Sequence, residues 1–310
     1  MQNKIRHSIL VISYNQEKTI GQTIESILSQ ISNKDEIIIS DDNSHDRTIT
    51  VIEKYIEKYP ENNIRLIKNA RNLGVFGNLN NVIHYATGDF VNIVAGDDIL
   101  PPGILKAYSE FINIKHLDCN DSFLICTDSE ILKPDGSKCY ISNMDINQYG
   151  LSNMTIMCSL YLWETGMSRG LINELPKYRE DIGYQADWLF HIDRLSVIDQ
   201  YYYLPLSGYI YREGCGVTNA SKASDLMQSR QNVLDIISAQ PEKLTDKSRK
   251  YLEMLDSDLA YRRNSNLSTF ISRGINRIKL GKVPQNCEYR SFWKFFIPQW
   301  IKTLIKTAYS

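Results

Sequence analysis

Asp97 and Asp98 stand side by side just past an apolar run, Phe90-Val91-Asn92-Ile93-Val94-Ala95, and Pro101-Pro102 follows shortly after. The run has the composition of a buried strand, and the two acids and the proline pair end it abruptly. Two carboxylates at the mouth of an apolar strand repel each other unless positive charge lies near them. A hard cation such as Mg²⁺ or Mn²⁺, itself bound to a phosphate-bearing substrate, relieves that repulsion. The same residues also fit a solvated turn before a helix, with Pro102 at the first helical position.

Two further polar clusters end apolar runs in the same way. Ser8-Ile9-Leu10-Val11-Ile12-Ser13 leads into Tyr14-Asn15, and Glu36-Ile37-Ile38-Ile39-Ser40 leads into Asp41-Asp42. Between them, residues 17–30 carry Ile20, Ile24, Ile27 and Leu28 at helical spacing. Ser44 is placed to cap a second helix that runs to Tyr59. Residues 64–68 read as a third strand, 74–86 as a loop and helix, and 90–95 as a fourth strand. Strands alternating with helices at this spacing predict an α/β fold, a mostly parallel sheet with helices on both faces. Ligands of such sheets bind beyond the carboxyl ends of the strands, where these three clusters fall.

Beyond Pro102 the alternation loosens. Residues 123–127 read as a strand, and Lys133-Pro134-Asp135-Gly136 as a turn between extended pieces. Residues 142–183 show few periodic runs and read as a long functional loop region. Residues 187–195 read as a helix with Trp188 and Leu189 towards a core, and 201–211 as an aromatic strand pair. From Ser224 to about Ile271 the pattern is helical. The expected division is a body over residues 1–220 and a helical region over 221–310.

The chain has 310 residues, 43% hydrophobic and 23% charged, enough to build a sizeable core. No stretch reaches the roughly 20 apolar residues that cross a bilayer, and residues 1–14 lack the pattern of an export signal. Cys119, Cys126, Cys139, Cys158, Cys215 and Cys287 form neither a CxxC pair nor metal-type spacing, so reduced thiols in a cytoplasm are expected. A net charge of −1 hides a division. From residue 261 onward there are ten Lys or Arg against the single acid Glu288, which leaves residues 1–260 with an excess of ten acids. An acidic body and a basic tail suggest two different partners.

Taken in order, Ser13-Tyr14-Asn15, Asp41-Asp42-Asn43-Ser44-His45-Asp46-Arg47-Thr48, Asn72-Leu73-Gly74, Ala86-Thr87-Gly88-Asp89-Phe90-Val91 and Gly96-Asp97-Asp98 resemble the amino-terminal half of the family 2 glycosyltransferases, inverting enzymes of GT-A fold. The resemblance spans about residues 6–215. It implies a hexosyltransferase that uses a nucleotide-diphosphate sugar, UDP by default with dTDP or GDP as alternatives, and a divalent metal, Mn²⁺ or Mg²⁺. By position, Tyr14 and Asp42 would contact the base and Asp97 the ribose or sugar. Asp98, as the last acid of a DXD-like motif, would hold the metal. The motif here is Ala95-Gly96-Asp97-Asp98, so the usual first Asp is absent, which leaves open which of the two acids binds metal directly. Arg71 reads either as a base or phosphate contact or as a solvated loop charge. The family's catalytic base opens a helix, often as Glu-Asp before an aromatic residue. Ala186-Asp187-Trp188 matches with Ala for Glu, so Asp187 is the expected base, with Glu180 and Asp181 as rivals. Arg212, in Tyr211-Arg212, would meet the diphosphate or acceptor, or form a structural salt bridge.

Enzymes of this resemblance commonly build bacterial surface polysaccharide such as O-antigen, capsule or lipooligosaccharide on polyprenyl-diphosphate carriers. The residues Ser291 to Lys306 mix aromatics, aliphatics and lysines in a way that suits a segment lying on an anionic membrane. A helix docked on the body is the other reading. The expected location is cytoplasmic and peripheral, on the inner face of the cell membrane, with no nucleic-acid partner because the tail's aromatics do not interleave with its charges. Sugar-nucleotide pyrophosphorylases share the layout but carry a glycine-rich basic loop after the first strand, which Ser13-Tyr14-Asn15-Gln16-Glu17 is not. A dinucleotide-binding GxGxxG is likewise absent there. A non-catalytic nucleotide-binding scaffold at the membrane is the remaining alternative.

Overall fold

A computed structural model describes residues 4–157, 165–215, 223–284 and 287. The tail segment 291–306 lies outside the described residues. The strands are β1 (His7–Ser13), β2 (Glu36–Asp41), β3 (Asn63–Lys68), β4 (Phe90–Ala95), β5 (Phe123–Leu132), β6 (Lys138–Ile141), β7 (Thr165–Ser168) and β8 (Gln200–Arg212). The helices are α1 (Ile20–Leu28), α2 (Thr48–Lys58), α3 (Gly74–Val82), α4 (Ile104–Lys115), α5 (Ile146–Ile156), α6 (Arg169–Glu174), α7 (Ala186–Asp193), α8 (Ala223–Ser238), α9 (Asp246–Arg263) and α10 (Leu267–Leu280).

They form one mixed sheet in the order β3-β2-β1-β4-β7-β5-β6, with β8 on the other edge of β5. The first four strands are parallel, and the chain's path reverses between β1 and β4. That is the switch point at which open α/β sheets leave a crevice. The register brings Ser13 opposite Asp41 and Ile12 opposite Ala95, so the ends of β1, β2 and β4 lie level.

Strand alternation sorts the core onto two faces. Ile9, Val11, Ile37 and Ile39 pack with Ile20, Ile24, Ile27, Ile52 and Tyr108 from α1, α2 and α4. Leu10, Ile12 and Ile38 pack with Leu79, Met154, Leu171 and Phe190 from α3, α5, α6 and α7. Each fully buried side chain of this kind contributes about 1.5–3 kcal/mol, which is why both faces must be covered. A third cluster joins Ile156, Trp188, Leu189 and Ile192 to Val233, Leu234, Leu252 and Leu255, so α8 and α9 share a core with α5 and α7. Among the described residues no helix is long and apolar enough to cross a membrane.

Several expectations are corrected. Ser44 does not cap α2, which begins at Thr48. Ser44 instead donates to Asp41, and Asp46 accepts the Thr48 N–H at 2.9 Å. Residues 142–183 are not simply a loop region. They hold α5, α6 and β7, a strand in the middle of the sheet that is too short at four residues to show a period. The aromatic stretch is one strand, not a pair: β8 runs on through a bulge in which Leu204 pairs with Thr127 and Ser207 with Asp128. Finally, α4 starts at Ile104 behind Gly103 (φ +81°), so Pro102 lies outside the helix.

Candidate active site

The loops after β1 and β2 are tied together by acids that accept from the backbone. Asn15 turns through a left-handed conformation (φ +52°), its N–H donates to Ser44 Oγ at 2.9 Å, and its side chain accepts from the His45 N–H at 2.8 Å. Asp41 accepts from the Ser44 N–H at 2.9 Å and from Ser13 Oγ at 3.0 Å. Asp46 accepts from the Glu17 N–H at 3.0 Å. Tyr14 projects from this wall half-buried.

Asp42 is buried, and it clamps the next loop. Its Oδ1 accepts from Asn69 Nδ2 at 2.9 Å and from the Leu73 N–H at 2.8 Å, while Oδ2 accepts from the Gly74 N–H at 2.8 Å. Those three bonds leave about one of a carboxylate's four acceptor positions for a ligand. Arg71 lies exposed on the loop so clamped.

A different arrangement holds Asp97 and Asp98, 7% and 3% exposed. Their turn passes so close to α1 that a Cβ on Gly96 would lie 2.3 Å from Gln16 Oε1 and 2.9 Å from Ile20. Thr23 Oγ1 lies 3.0 and 2.7 Å from the carbonyl oxygens of Gly96 and Asp98, which share its proton. From the other side β8 grips the turn. Ile99 and Ile210 exchange backbone hydrogen bonds of 3.1 and 3.0 Å. The Tyr209 hydroxyl donates to Asp98 Oδ2, and the Arg212 N–H donates to Asp98 Oδ1 at 2.7 Å. The Arg212 guanidinium donates to the Asp97 carbonyl at 2.8 Å and to Gln22 Oε1 at 2.9 Å.

The electrostatics of the pair follow from this packing. Burial and then the neighbouring Asp97 push the Asp98 carboxyl up to about 7, against the pull of Tyr209 and Arg212. Burial also raises Asp97, opposed by its own backbone N–H, by Arg212 and by a hydrogen bond from Gln16. The phenol of Tyr209 is itself raised well above its usual value, by burial first and then by Asp98.

Asp187 sits in the first turn of α7, half-buried, and accepts the Trp188 N–H at 2.7 Å. Burial raises its carboxyl to about 6, with the Trp188 N–H, its own N–H and Arg230 pulling the other way. Among the described residues no direct hydrogen bond or ion pair joins it to the Asp97–Asp98 corner. Its rivals are otherwise engaged. Glu180 accepts from Asn80 of α3 at 3.2 Å, and Asp181 forms an exposed pair with Arg179 at 2.6 Å.

Thus the fold joins Asp97, Asp98 and Arg212 directly across 114 residues of sequence, and it stands Tyr14 and Asp42 on the adjoining wall. Tyr209, Thr23, Gln16 and Gln22 complete the corner and were not singled out by sequence. The only signal for Tyr209 is its place three residues before Arg212, in a strand that also contains Tyr201, Tyr202, Tyr203 and Tyr211.

The corner fits a hard divalent cation. Two adjacent, buried carboxylates with raised pKa values lack a counter-charge strong enough to keep both ionised, which a cation would supply. Among the described residues no cluster of three or more His, Cys, Asp or Glu could hold a metal alone. One or two carboxylates completed by substrate phosphates and water is the usual arrangement for Mg²⁺.

Comparison with known proteins agrees with the fold. Residues 8–152 match the model of glycosyl transferase family 2. The putative glycosyltransferase EpsE of Bacillus subtilis is 37% identical over 109 residues, 35% of this chain and 38% of EpsE. The UDP-Glc:α-D-GlcNAc-diphosphoundecaprenol β-1,3-glucosyltransferase WfgD of Escherichia coli is 36% identical over 93 residues, 30% of this chain and 35% of WfgD. The chain therefore spans little more than a third of the length of these curated relatives. Two solved structures share the GT-A architecture. Staphylococcus aureus TarS 1–349 in complex with UDP-GlcNAc superposes with a TM-score of 0.64 at 18% identity, covering 89% of this chain and 80% of that one. The mannosyltransferase PcManGT from Pyrobaculum calidifontis, in complex with GDP-Man and Mn²⁺, gives 0.59 at 14% identity, covering 97% and 88%.

Proposed function

We propose that this chain, whose residues 8–152 match the model of glycosyl transferase family 2, is a member of that family and moves a sugar from a nucleotide-diphosphate sugar, taken as a UDP-sugar, to a hydroxyl of a glycan acceptor. The reaction inverts the anomeric carbon and uses a divalent metal, Mn²⁺ or Mg²⁺. The observation that carries the reading is the Asp97–Asp98 corner, gripped from β8 by Tyr209 and Arg212 at the sheet's switch point.

On this reading Tyr14 and the spare acceptor position of Asp42 take the base, Asp97 takes the ribose or sugar, and Asp98 holds the metal. When bound, the metal neutralises charge on the departing diphosphate as a Lewis acid. The guanidinium of Arg212, fixed beside the two acids, and that of Arg71 on its exposed loop face the phosphates. Asp187 removes the proton from the acceptor hydroxyl as that oxygen attacks. A carboxyl raised to about 6 is still mostly ionised at neutral pH and is a stronger base than an ordinary one. One displacement inverts the centre, so no nucleophile on the protein is needed.

The acceptor is taken as polyprenyl-diphosphate-linked, in bacterial surface-polysaccharide synthesis of the O-antigen, capsule or lipooligosaccharide kind. WfgD, whose name includes diphosphoundecaprenol, supports that class, and so does the basic excess after residue 261. Residues 1–220 would then bind donor and transfer sugar. Residues 221–310 would hold the enzyme to the cytoplasmic face of the membrane as a peripheral protein.

The test is release of nucleoside diphosphate from a panel of UDP-, dTDP- and GDP-sugars, with Asp187→Asn beside the wild type. Loss of the general base lowers kcat by about 10²–10⁴-fold with donor affinity nearly unchanged. The wild-type rate falls with acid below pH about 6, as Asp187 is protonated. Full turnover by the variant would reassign the base, and donor affinity lost in step with kcat would make Asp187 a binding residue.

A further inference from the structure

Helix α10 is built inside out. The face it turns to α9 carries Arg273, Arg277 and Leu280, all buried, and Arg273 Nε lies 2.7 Å from Asp258 of α9. Its outward face carries Leu267, Ile271, Ile275 and Ile278, exposed by 73, 49, 48 and 59%. Steps of four, four and three residues align these four side chains in one stripe. A surface helix ordinarily does the reverse, burying its aliphatic stripe and leaving charges in water. The helix is also firmly made. It opens on a capping box between Asn266 and Thr269, and Lys247 Nζ donates to its last carbonyl, that of Leu280, at 2.6 Å. The stripe is therefore held outward by a structured helix.

We propose that this face lies in the interfacial plane of an anionic lipid membrane. Charge favours that occupant: Arg263, Lys279 and Lys282, at the two ends of the stripe, are all exposed, and Glu288 is the only acid from residue 261 on. Fourteen residues make a helix about 21 Å long, too short to span a bilayer but suited to lying along its surface. A strip of that length and about 10 Å wide offers roughly 200 Å², against about 800 Å² per partner in a stable protein interface. A second copy of the chain would gain too little there. Lipid needs no matching surface: the stripe sinks among the acyl chains while the cations meet headgroup phosphates. The inference deepens the peripheral-membrane reading above by naming the segment that makes contact, and its test does not depend on sugar transfer.

The full chain is mixed with vesicles of phosphatidylglycerol and phosphatidylcholine in equal parts, or of phosphatidylcholine alone, and sedimented. The wild type is expected to sediment with the anionic vesicles only, less so as salt is raised. The double variant Ile271→Gln/Ile275→Gln, altered at exposed positions, keeps its melting temperature and its nucleotide-sugar turnover in solution. It binds the anionic vesicles at least about tenfold more weakly, although residues 288–310 are intact. Lys279→Gln/Lys282→Gln lowers both the binding and its salt dependence. Equal sedimentation of the Ile double variant and the wild type would overturn the proposal and leave membrane attachment to the tail. So would a wild type that ignores anionic vesicles, or a wild-type dimer in light scattering that the Ile double variant dissociates.

Discussion

The acids beyond β2 and those beyond β4 are of the same type and lie at the same edge of the sheet, yet their surroundings oppose each other. Asp42 receives three hydrogen bonds from one loop, two of them from backbone N–H groups, and holds that loop in place. Asp97 and Asp98 lie against each other, and burial raises both carboxyls. Backbone donors can satisfy a lone carboxylate permanently. Two carboxylates at one turn with a single arginine beside them are left wanting positive charge. The first carboxylate is satisfied by the protein but for one acceptor position, and on the proposed function the Asp97–Asp98 pair is completed by a metal and its ligand.

Asp98→Asn tests that contrast most severely. Lewis-acid stabilisation of several kcal/mol corresponds to a fall in turnover on the order of 10³-fold. Stability should respond in the opposite sense to that of an ion-paired acid, whose folded-state pKa is lowered. A carboxyl raised in the folded state costs stability as pH climbs from its usual 3.8 through about 7. In chelator the wild-type Tm therefore falls across that range, and the variant's fall is smaller. A variant that unfolds at pH 8 would show that Asp98 is architectural like Asp42.

Tyr209→Phe is a milder probe of the same corner. Removing the donor to Asp98 leaves the carboxylate in place but poorly oriented, and such outer partners are worth about 10–100-fold in metal affinity. The Mn²⁺ concentration for half-maximal rate should rise by that factor while kcat at saturating Mn²⁺ changes little. An unchanged Mn²⁺ dependence would reduce Tyr209 to packing.

Asp42→Asn probes the other region. An amide cannot accept all three donors and carries no charge, and a hydrogen bond to a charged acceptor is worth about 1.5–3 kcal/mol. Thermal melts should show that loss with or without metal. A variant as stable as the wild type would mean that the loop 69–74 does not depend on its clamp.

Most of the first half was legible in the sequence, because parallel strands buried on both faces are continuous apolar runs. β4 falls on the residues read as a strand, and the acids that end it are evident from charge alone. Legibility fails where long-range partners decide. β7 is a four-residue strand made by its neighbours β4 and β5, with Gly166 facing Phe90. Tyr209 is one tyrosine among five in its strand, and only the fold selects it. Ser44 looked like a cap because local pattern cannot see that Asp41 and Asn15 claim it first. The inverted faces of α10 were hidden because Asp258, the ion partner of Arg273, lies on a different helix.

The central claim is that the corner after β4 takes a divalent cation together with a nucleoside diphosphate. Electron paramagnetic resonance of Mn²⁺ titrated with the protein, with and without UDP, tests it directly. The predicted result is a free-ion signal that the wild type lowers below that of Mn²⁺ with UDP alone, and that Asp98→Asn leaves at the level of Mn²⁺ with UDP alone. Equal Mn²⁺ uptake by the two proteins, or UDP binding unaffected by chelator, would contradict it.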